Sequence, residues 1–270
     1  MTRHPAFALI VLLLIAATAC KSPPGRSAEK EHEPPAANEV LGTEGDDNFP
    51  GTPGDDVIGG EGGNDQVSGS DGNDELRGGE GDDLLHGGPG NDKMNGGPGS
   101  DTLNGGDGND FLLAGEGNDQ VNAGDGDDEV YAGEGDDLAS GSPGDDVLFG
   151  NDGNDVLVGS EGADKMEGNE GADTFLYRAG HADGKMDTIS DFNPGEGDRL
   201  DLSELLARDK YAGDGSAASL AGYLRVQGTV IEYDSSGSGK TFVPLADIKR
   251  SVTIEELVKG KNVIALPQKP

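Results

Sequence analysis

Fifteen aspartates stand nine residues apart in this chain: Asp47, Asp56, Asp65, Asp74, Asp83, Asp92, Asp101, Asp110, Asp119, Asp128, Asp137, Asp146, Asp155, Asp164 and Asp173. Carboxylates at a fixed interval are hard oxygen donors, and the glycine-rich chain between them can add backbone carbonyls. Such an all-oxygen set suits Ca2+, which takes about six to eight ligands in a flexible geometry. Mg2+ prefers a tighter octahedron and retains its water, so it fits less well. Zinc would want His or Cys, and the run holds only His86.

The elements that must position these carboxylates follow from the repeat itself. A unit Gly-x-x-Gly-x-Asp-x-apolar-x runs from Gly42 to Leu176 in fifteen copies without insertion, with glycine at position four in every copy. Its first six residues are turn-formers, and its last three make a minimal strand. Position eight is apolar from Phe49 to Phe175, and only Ala139 is small. Three-residue strands are not stable alone. Stacked with two turns per coil, they give two parallel sheets whose position-eight side chains form one inward column. Position-six carboxylates then align along each edge at about 4.8 Å, and they repel unless cations lie between them. The expected fold class is therefore all-β: a parallel β-roll (a two-sheet, calcium-stacked solenoid) with a small β-rich C-terminal cap.

Charge makes the same demand. Residues 42–176 hold 35 acidic residues against three basic ones (Arg77, Lys93, Lys165), so −32 of the chain's −34 lies there. With aromatics at 4% and no tryptophan, little apolar burial is available to offset the repulsion. Nucleic acid and anionic membrane surfaces are poor partners for such a chain, and cations are good ones. Fifteen loops alternate eight and seven between two edges, which leaves room for at most about thirteen ions between successive loops. Their charge would nearly neutralise the region, so metal binding and folding should be one event.

The unit resembles the repeat of the RTX, or haemolysin-type, calcium-binding proteins, which form a parallel β-roll. The resemblance covers half the chain. It implies that each position-six aspartate contributes a carboxylate and that loop carbonyls complete the shell. Position two departs from glycine at both ends of the array (Thr43, Thr52, Glu61, Ser70, Ser142, Asn151, Ser160, Asn169). Position one is alanine at Ala114, Ala123 and Ala132, and position five is alanine at Ala163 and Ala172. The sites between Gly78 and Gly141 are expected to be the strongest.

Residues 1–20 carry Arg3, an apolar run from Ala6 to Ala17 and then Ala-Thr-Ala-Cys ending at Cys20. This end resembles a bacterial lipoprotein signal peptide with Cys20 as the lipidated residue, although Ala17 stands where leucine is usual. An ordinary secretory signal cut nearby is the alternative. Lys21 in place of an aspartate leans towards the outer membrane. Residues 21–41, rich in Pro, Glu, Ala and Lys, read as a disordered tether, so any membrane attachment is through the lipid alone.

Beyond Tyr177 the composition becomes ordinary. Asp187–Phe192 and Arg199–Leu202 read as strands, Ser203–Ala207 as a short helix, and Thr229–Tyr233 with Thr241–Leu245 as a hairpin. Thr253-Ile254-Glu255-Glu256 is a capping box opening a helix that stops at Gly260, and Asn262–Leu266 reads as a last strand. This segment resembles the C-terminal region of RTX proteins exported by type I secretion. Residues 177–270 are thus either a cap on the roll or a secretion address, and the latter conflicts with the N-terminal signal.

No catalytic constellation is expected. His4, His32, His86 and His181 are scattered, a His-Glu-x-x-His zinc site is missing, and Ser236-Gly237-Ser238-Gly239-Lys240 sits at a hairpin tip. The expectation is an exported calcium-binding β-roll that folds outside the cytoplasm as a cell-surface structural or adhesive lipoprotein. The alternative is a protein derived from an RTX toxin or protease and released to the medium. The sequence names no protein or glycan partner.

Overall fold

A computed structural model describes residues 38–178, 185–208, 224–233, 243–251, 253 and 263–264. The signal segment with Cys20, the tether up to residue 37, the hairpin tip at 234–242 and the expected helix after Thr253 lie outside the described residues. Sixteen strands build the repeat region: β1 (Asn38–Thr43), β2 (Asn48–Pro50), β3 (Asp56–Gly62), β4 (Gln66–Ser68), β5 (Glu75–Glu80), β6 (Leu84–Pro89), β7 (Lys93–Pro98), β8 (Thr102–Asp107), β9 (Phe111–Glu116), β10 (Gln120–Asp125), β11 (Glu129–Glu134), β12 (Leu138–Pro143), β13 (Val147–Asp152), β14 (Val156–Glu161), β15 (Lys165–Glu170) and β16 (Thr174–Leu176).

Odd-numbered strands form one parallel sheet and even-numbered strands the other. Partners are two repeats apart, as in Gln120 opposite Leu138 and Glu129 opposite Val147. Each coil therefore spends two repeats, and the fold is the two-sheet β-roll. Position eight is buried from Ile58 to Phe175, while Phe49 at the N-terminal end is only partly covered.

Two features differ from the sequence reading. Most strands span six residues rather than three, because positions one to three of the following repeat continue the pairing, as at Gly124 opposite Gly106. The roll also starts inside the expected tether. Asn38–Leu41 belong to β1 and pair in parallel with Asp56–Gly59.

Glycine at position two holds the bend within each long strand, with φ between 112° and 129° from Gly79 to Gly133. Towards the ends of the array, non-glycine residues adopt positive φ there, including Glu61 at 79° and Ser160 at 91°. A left-handed conformation costs a side chain about 1–2 kcal/mol, against roughly 0.5–1 kcal/mol for glycine's extra entropy. Ser160→Gly should therefore raise the melting temperature of the calcium-loaded chain slightly, as differential scanning calorimetry would read. A lowered value would mean that the serine hydroxyl contributes more than its backbone conformation costs.

The C-terminal segment continues the roll and then extends its odd sheet with antiparallel strands. β17 (Asp187–Ile189) and β18 (Arg199–Asp201) add in parallel to the odd and even sheets. Then come α1 (Ser203–Arg208), β19 (Leu224–Gln227), β20 (Val230–Tyr233), β21 (Val243–Asp247) and β22 (Val263–Ile264). β21 pairs parallel to β17, while β20 and β19 follow antiparallel, which turns the odd sheet's edge into a meander. The core runs without a break from the position-eight column through Phe175, Phe192, Leu205, Ile231 and Tyr233. The Tyr233 hydroxyl donates to the Leu205 carbonyl at 3.2 Å, tying the meander to α1.

Candidate metal centre

Along both edges of the roll the position-six aspartates form a ladder in which the two carboxylate oxygens have different surroundings. Oδ1 accepts the backbone N–H of the aspartate one coil earlier. Asp92 donates to Asp110 at 2.8 Å, and Asp101 to Asp119 at 2.7 Å. The backbone carbonyl of each aspartate accepts the position-seven N–H of the next coil, as in Gln120 to Asp101 at 2.8 Å. Every position-six aspartate from Asp56 to Asp173 is buried, with no more than 3% of its surface exposed.

The second oxygen has no such partner through most of the array. In Asp65, Asp74, Asp83, Asp92, Asp101, Asp110, Asp119, Asp128, Asp137, Asp146, Asp155 and Asp173, Oδ2 is buried without a hydrogen-bond donor. It lies over position one of its own repeat beside a backbone carbonyl. A Cβ on Gly87 would come within 2.2 Å of Asp92 Oδ2 and 2.5 Å of the Gly105 carbonyl oxygen. A buried carboxylate oxygen lacking a donor carries a large desolvation cost and needs a proton or a cation. Among the described residues no three His, Cys, Asp or Glu side chains converge on one point. A cation here would share carboxylates from stacked coils with carbonyl oxygens, and those donors fit a hard ion such as Ca2+.

At the first two repeats protein donors replace that need. Asp47 Oδ2 accepts the Thr43 N–H and hydroxyl, both at 2.8 Å, and Asp56 Oδ2 accepts the Thr52 N–H at 2.6 Å and its hydroxyl at 3.0 Å. The threonines at position two thus finish the ladder.

Burial also moves the carboxyl pKa values. It pushes Asp92, Asp119 and Asp128 up to about 6, Asp101, Asp110 and Asp155 to about 7, and Asp146 to about 8. The backbone N–H received by each carboxylate opposes the rise, and nearby carboxylates add to it. Because these folded-state values exceed the ordinary carboxylate range near about 4, protons favour the metal-free roll. That contribution is complete below the unfolded value and is lost as pH rises through 6 to 8. In chelator, circular dichroism should show β-structure increasing from pH 8 to pH 5. A flat or opposite response would contradict the burial of these groups.

Position five makes a second, exposed ladder. Asn64 N–H donates to Asp46 Oδ1 at 2.9 Å, and Asn109 N–H to Asn91 Oδ1 at 2.7 Å. This explains why the position is Asp or Asn in most copies, whereas position six is Asp in all fifteen. The ladder stops at Ala163 and Ala172, which still donate to Asp145 and Asn154 but offer no acceptor onward.

Two further aspartates belong to the buried ladder and were not singled out as such from the sequence. Asp164 N–H donates to Asp187 Oδ1 at 3.1 Å, and Asp173 N–H donates to Asp198 Oδ1 at 3.2 Å; both acceptors are 3% exposed. Each is followed by an apolar residue two places on, Ile189 or Leu200, in register with Met166 or Phe175. The triplet Asp-x-apolar was the available signal, although the nine-residue spacing had lapsed. Asp198 Oδ2 accepts the Asn193 N–H at 2.7 Å, so this end of the ladder too meets a protein donor.

Fold and site together define a solenoid whose stacked loops form a lattice of buried, acidic oxygen donors. The model of the RTX calcium-binding nonapeptide repeat matches four times, at residues 41–76, 68–103, 104–139 and 140–175. The chain belongs to this calcium-binding repeat family. Among solved structures it is similar to the AlgE6R3 subunit of the Azotobacter vinelandii mannuronan C5-epimerase, determined in solution. The identity is 32% over 52% of this chain and 78% of that one, with a TM-score of 0.33. No curated protein matches the chain.

Proposed function

We propose that this calcium-binding repeat protein is exported, stays unfolded at low cytoplasmic calcium and folds around Ca2+ outside the cell. There it serves as a structural or adhesive module at the cell surface. The observation that carries this reading is the row of buried Oδ2 atoms without donors, set in a chain of net charge −34. Folding without a cation would require those carboxylates to bind protons or to remain charged in a dry interior. Carboxylates from Asp65 to Asp173, with neighbouring loop carbonyls, would hold the ions, whose charge neutralises the lattice. Asp47 and Asp56, already served by Thr43 and Thr52, would contribute least. The 177–270 segment would serve as the cap, which is supported by its unbroken core with the roll. No step of chemical catalysis is proposed.

A far-UV circular dichroism titration with Ca2+, with Mg2+ as the control, tests the folding switch. A cooperative coil-to-β transition specific to Ca2+ is expected. A spectrum already rich in β-structure in chelator at neutral pH, or one that Mg2+ reproduces, overturns the reading. Attachment through Cys20 is tested separately by mass spectrometry of the membrane fraction. A lipid adduct lost on globomycin treatment supports the anchor, and unmodified protein in the medium supports the released form.

A further inference from the structure

The outer face of the odd sheet is unlike the rest of the roll. From β5 to β15, positions seven and nine of its strands point to solvent on either side of the buried position-eight residue. All three basic residues of the repeat region, Arg77, Lys93 and Lys165, stand on this face. They are balanced there by Glu75, Glu129 and Glu167, so positions seven and nine from β5 to β15 are neutral together, while the acidic residues of the same strands (Glu80, Glu116, Glu134, Asp152 and Glu170) lie at their far ends. The centre of this strip is apolar. Tyr131 stacks on Phe149 with ring centroids 4.8 Å apart and leans on Phe111 at 5.7 Å, and all three rings remain partly exposed.

The residue types at positions seven and nine complement each other strand by strand. β5 carries Glu75 and Arg77, which already pair with each other within the strand and would exchange partners across the contact, and β15 offers Lys165 and Glu167. β9 offers Phe111 with Leu113, and β13 offers Val147 with Phe149. In β11 the Tyr131 hydroxyl already donates to Glu129 at 2.6 Å, which shows the pair to be compatible. A twofold axis parallel to the roll axis, passing over the position-eight column, would lay each strand antiparallel on its own copy. Position seven would then face position nine of the same strand in the second molecule. Acid meets base at β5 and β15, and apolar meets apolar at β9 and β13. A twofold axis along the strands, centred on β11, would instead set Lys93 against Lys165. The even sheet's outer face carries no Asp, Glu, Lys or Arg at these positions from Asn48 to Leu176 and offers no such code.

We infer that the odd face is a self-recognition surface that pairs two copies of this chain side by side, coil against equal coil. The pairing rests on the calcium-folded roll. Six strands at about 4.8 Å and a strip about 10 Å wide give on the order of 300 Å2 per copy, which places the contact among weak, reversible interfaces. Closed twofold pairs are the commonest assemblies of identical chains, and each contact in them occurs twice.

Sedimentation equilibrium of the calcium-loaded chain over a concentration series tests this, with circular dichroism of every sample reporting folding independently. A reversible monomer–dimer equilibrium is expected. K165E should weaken it by about tenfold or more, since two like-charge pairs replace two ion pairs. The double exchange K165E/E167K restores complementarity in this register and should recover dimerisation. Both side chains face solvent and the double exchange leaves the net charge unchanged, so its calcium midpoint of folding should match that of the unaltered chain. A folded chain that stays monomeric at every concentration, or a double exchange no better than the single one, overturns the proposal. Failure to fold with calcium would instead strike the functional reading above.

Discussion

Gly117→Ala is expected to abolish the calcium-induced transition of the central coils, whereas Gly105→Ala in the neighbouring repeat is expected to be mild. Gly117 holds position four with φ at 130°, and a Cβ there would lie 1.7 Å from the carbonyl oxygen of Gly99 in the coil beneath. The obstacle is backbone on backbone, so no rotamer relieves it. The Gly117 N–H also donates to Glu134 at 2.6 Å, so moving the loop away breaks the contact with the following coil as well. Left-handed strain of about 1–2 kcal/mol and overpacking of about 1–3 kcal/mol act together. In a solenoid, whose stability is a sum of nearest-neighbour interfaces, the break falls between coils and uncouples the array on either side.

Gly105 stands at position one, where a Cβ would meet Asp110 Oδ2 at 2.3 Å and the Ala123 carbonyl oxygen at 2.3 Å. Alanine already occupies this position at Ala114, Ala123 and Ala132, each fully buried, so the roll accommodates a Cβ at position one. A cost of about 1 kcal/mol is expected there. Calcium titrations of the two variants followed by circular dichroism compare them directly. Equal damage from both would mean that position four is invariant for a reason other than loop stacking.

This contrast bears on how much of the molecule its sequence disclosed. Strict periodicity carries three facts at once, namely which residues face inward, which carboxylates align, and how many loops stack. Ile58 to Phe175 and Asp56 to Asp173 are buried as the period requires. Local propensity gave less. Positions one to three look like turn chemistry, yet they pair as strand because an identical segment lies one coil away, and that is a property of the stack rather than of the segment. Asp187 and Asp198 escaped because they sit fourteen residues after Asp173 and eleven after Asp187, which breaks the period while keeping the ladder contact. The β19–β20 hairpin turns at Gly228, with φ at 69°, inside a stretch where only the second strand was legible. The different surroundings of Oδ1 and Oδ2 were not legible at all, since they depend on which N–H groups the stacking has already committed.

That difference makes Asp110→Asn the most informative single change in the ladder. Asparagine keeps an oxygen to accept the Asp92 N–H, now 2.8 Å from Asp110 Oδ1, and replaces the donor-less Oδ2 by an uncharged amide group. In chelator the substitution removes a buried carboxyl whose pKa is raised to about 7 by burial and by the neighbouring carboxylates Asp128 and Asp92, so the metal-free roll should be stabilised. In Ca2+ it would remove the proposed ligand and present amide hydrogens where a cation should sit. A loss of about 1–3 kcal/mol is expected, and because several ions bind in one transition the calcium midpoint rises by less than the roughly tenfold per 1.4 kcal/mol of a single site. The two effects have opposite signs, and thermal melts in chelator at pH 5 and in saturating Ca2+ read them on one protein. If Asp110→Asn shifts both melts in the same direction, Oδ2 is not a metal ligand and the ladder is only a hydrogen-bonded scaffold. Asp47→Asn supplies the comparison. Its Oδ2 already accepts two donors from Thr43, so the change should destabilise by a similar amount whether or not calcium is present.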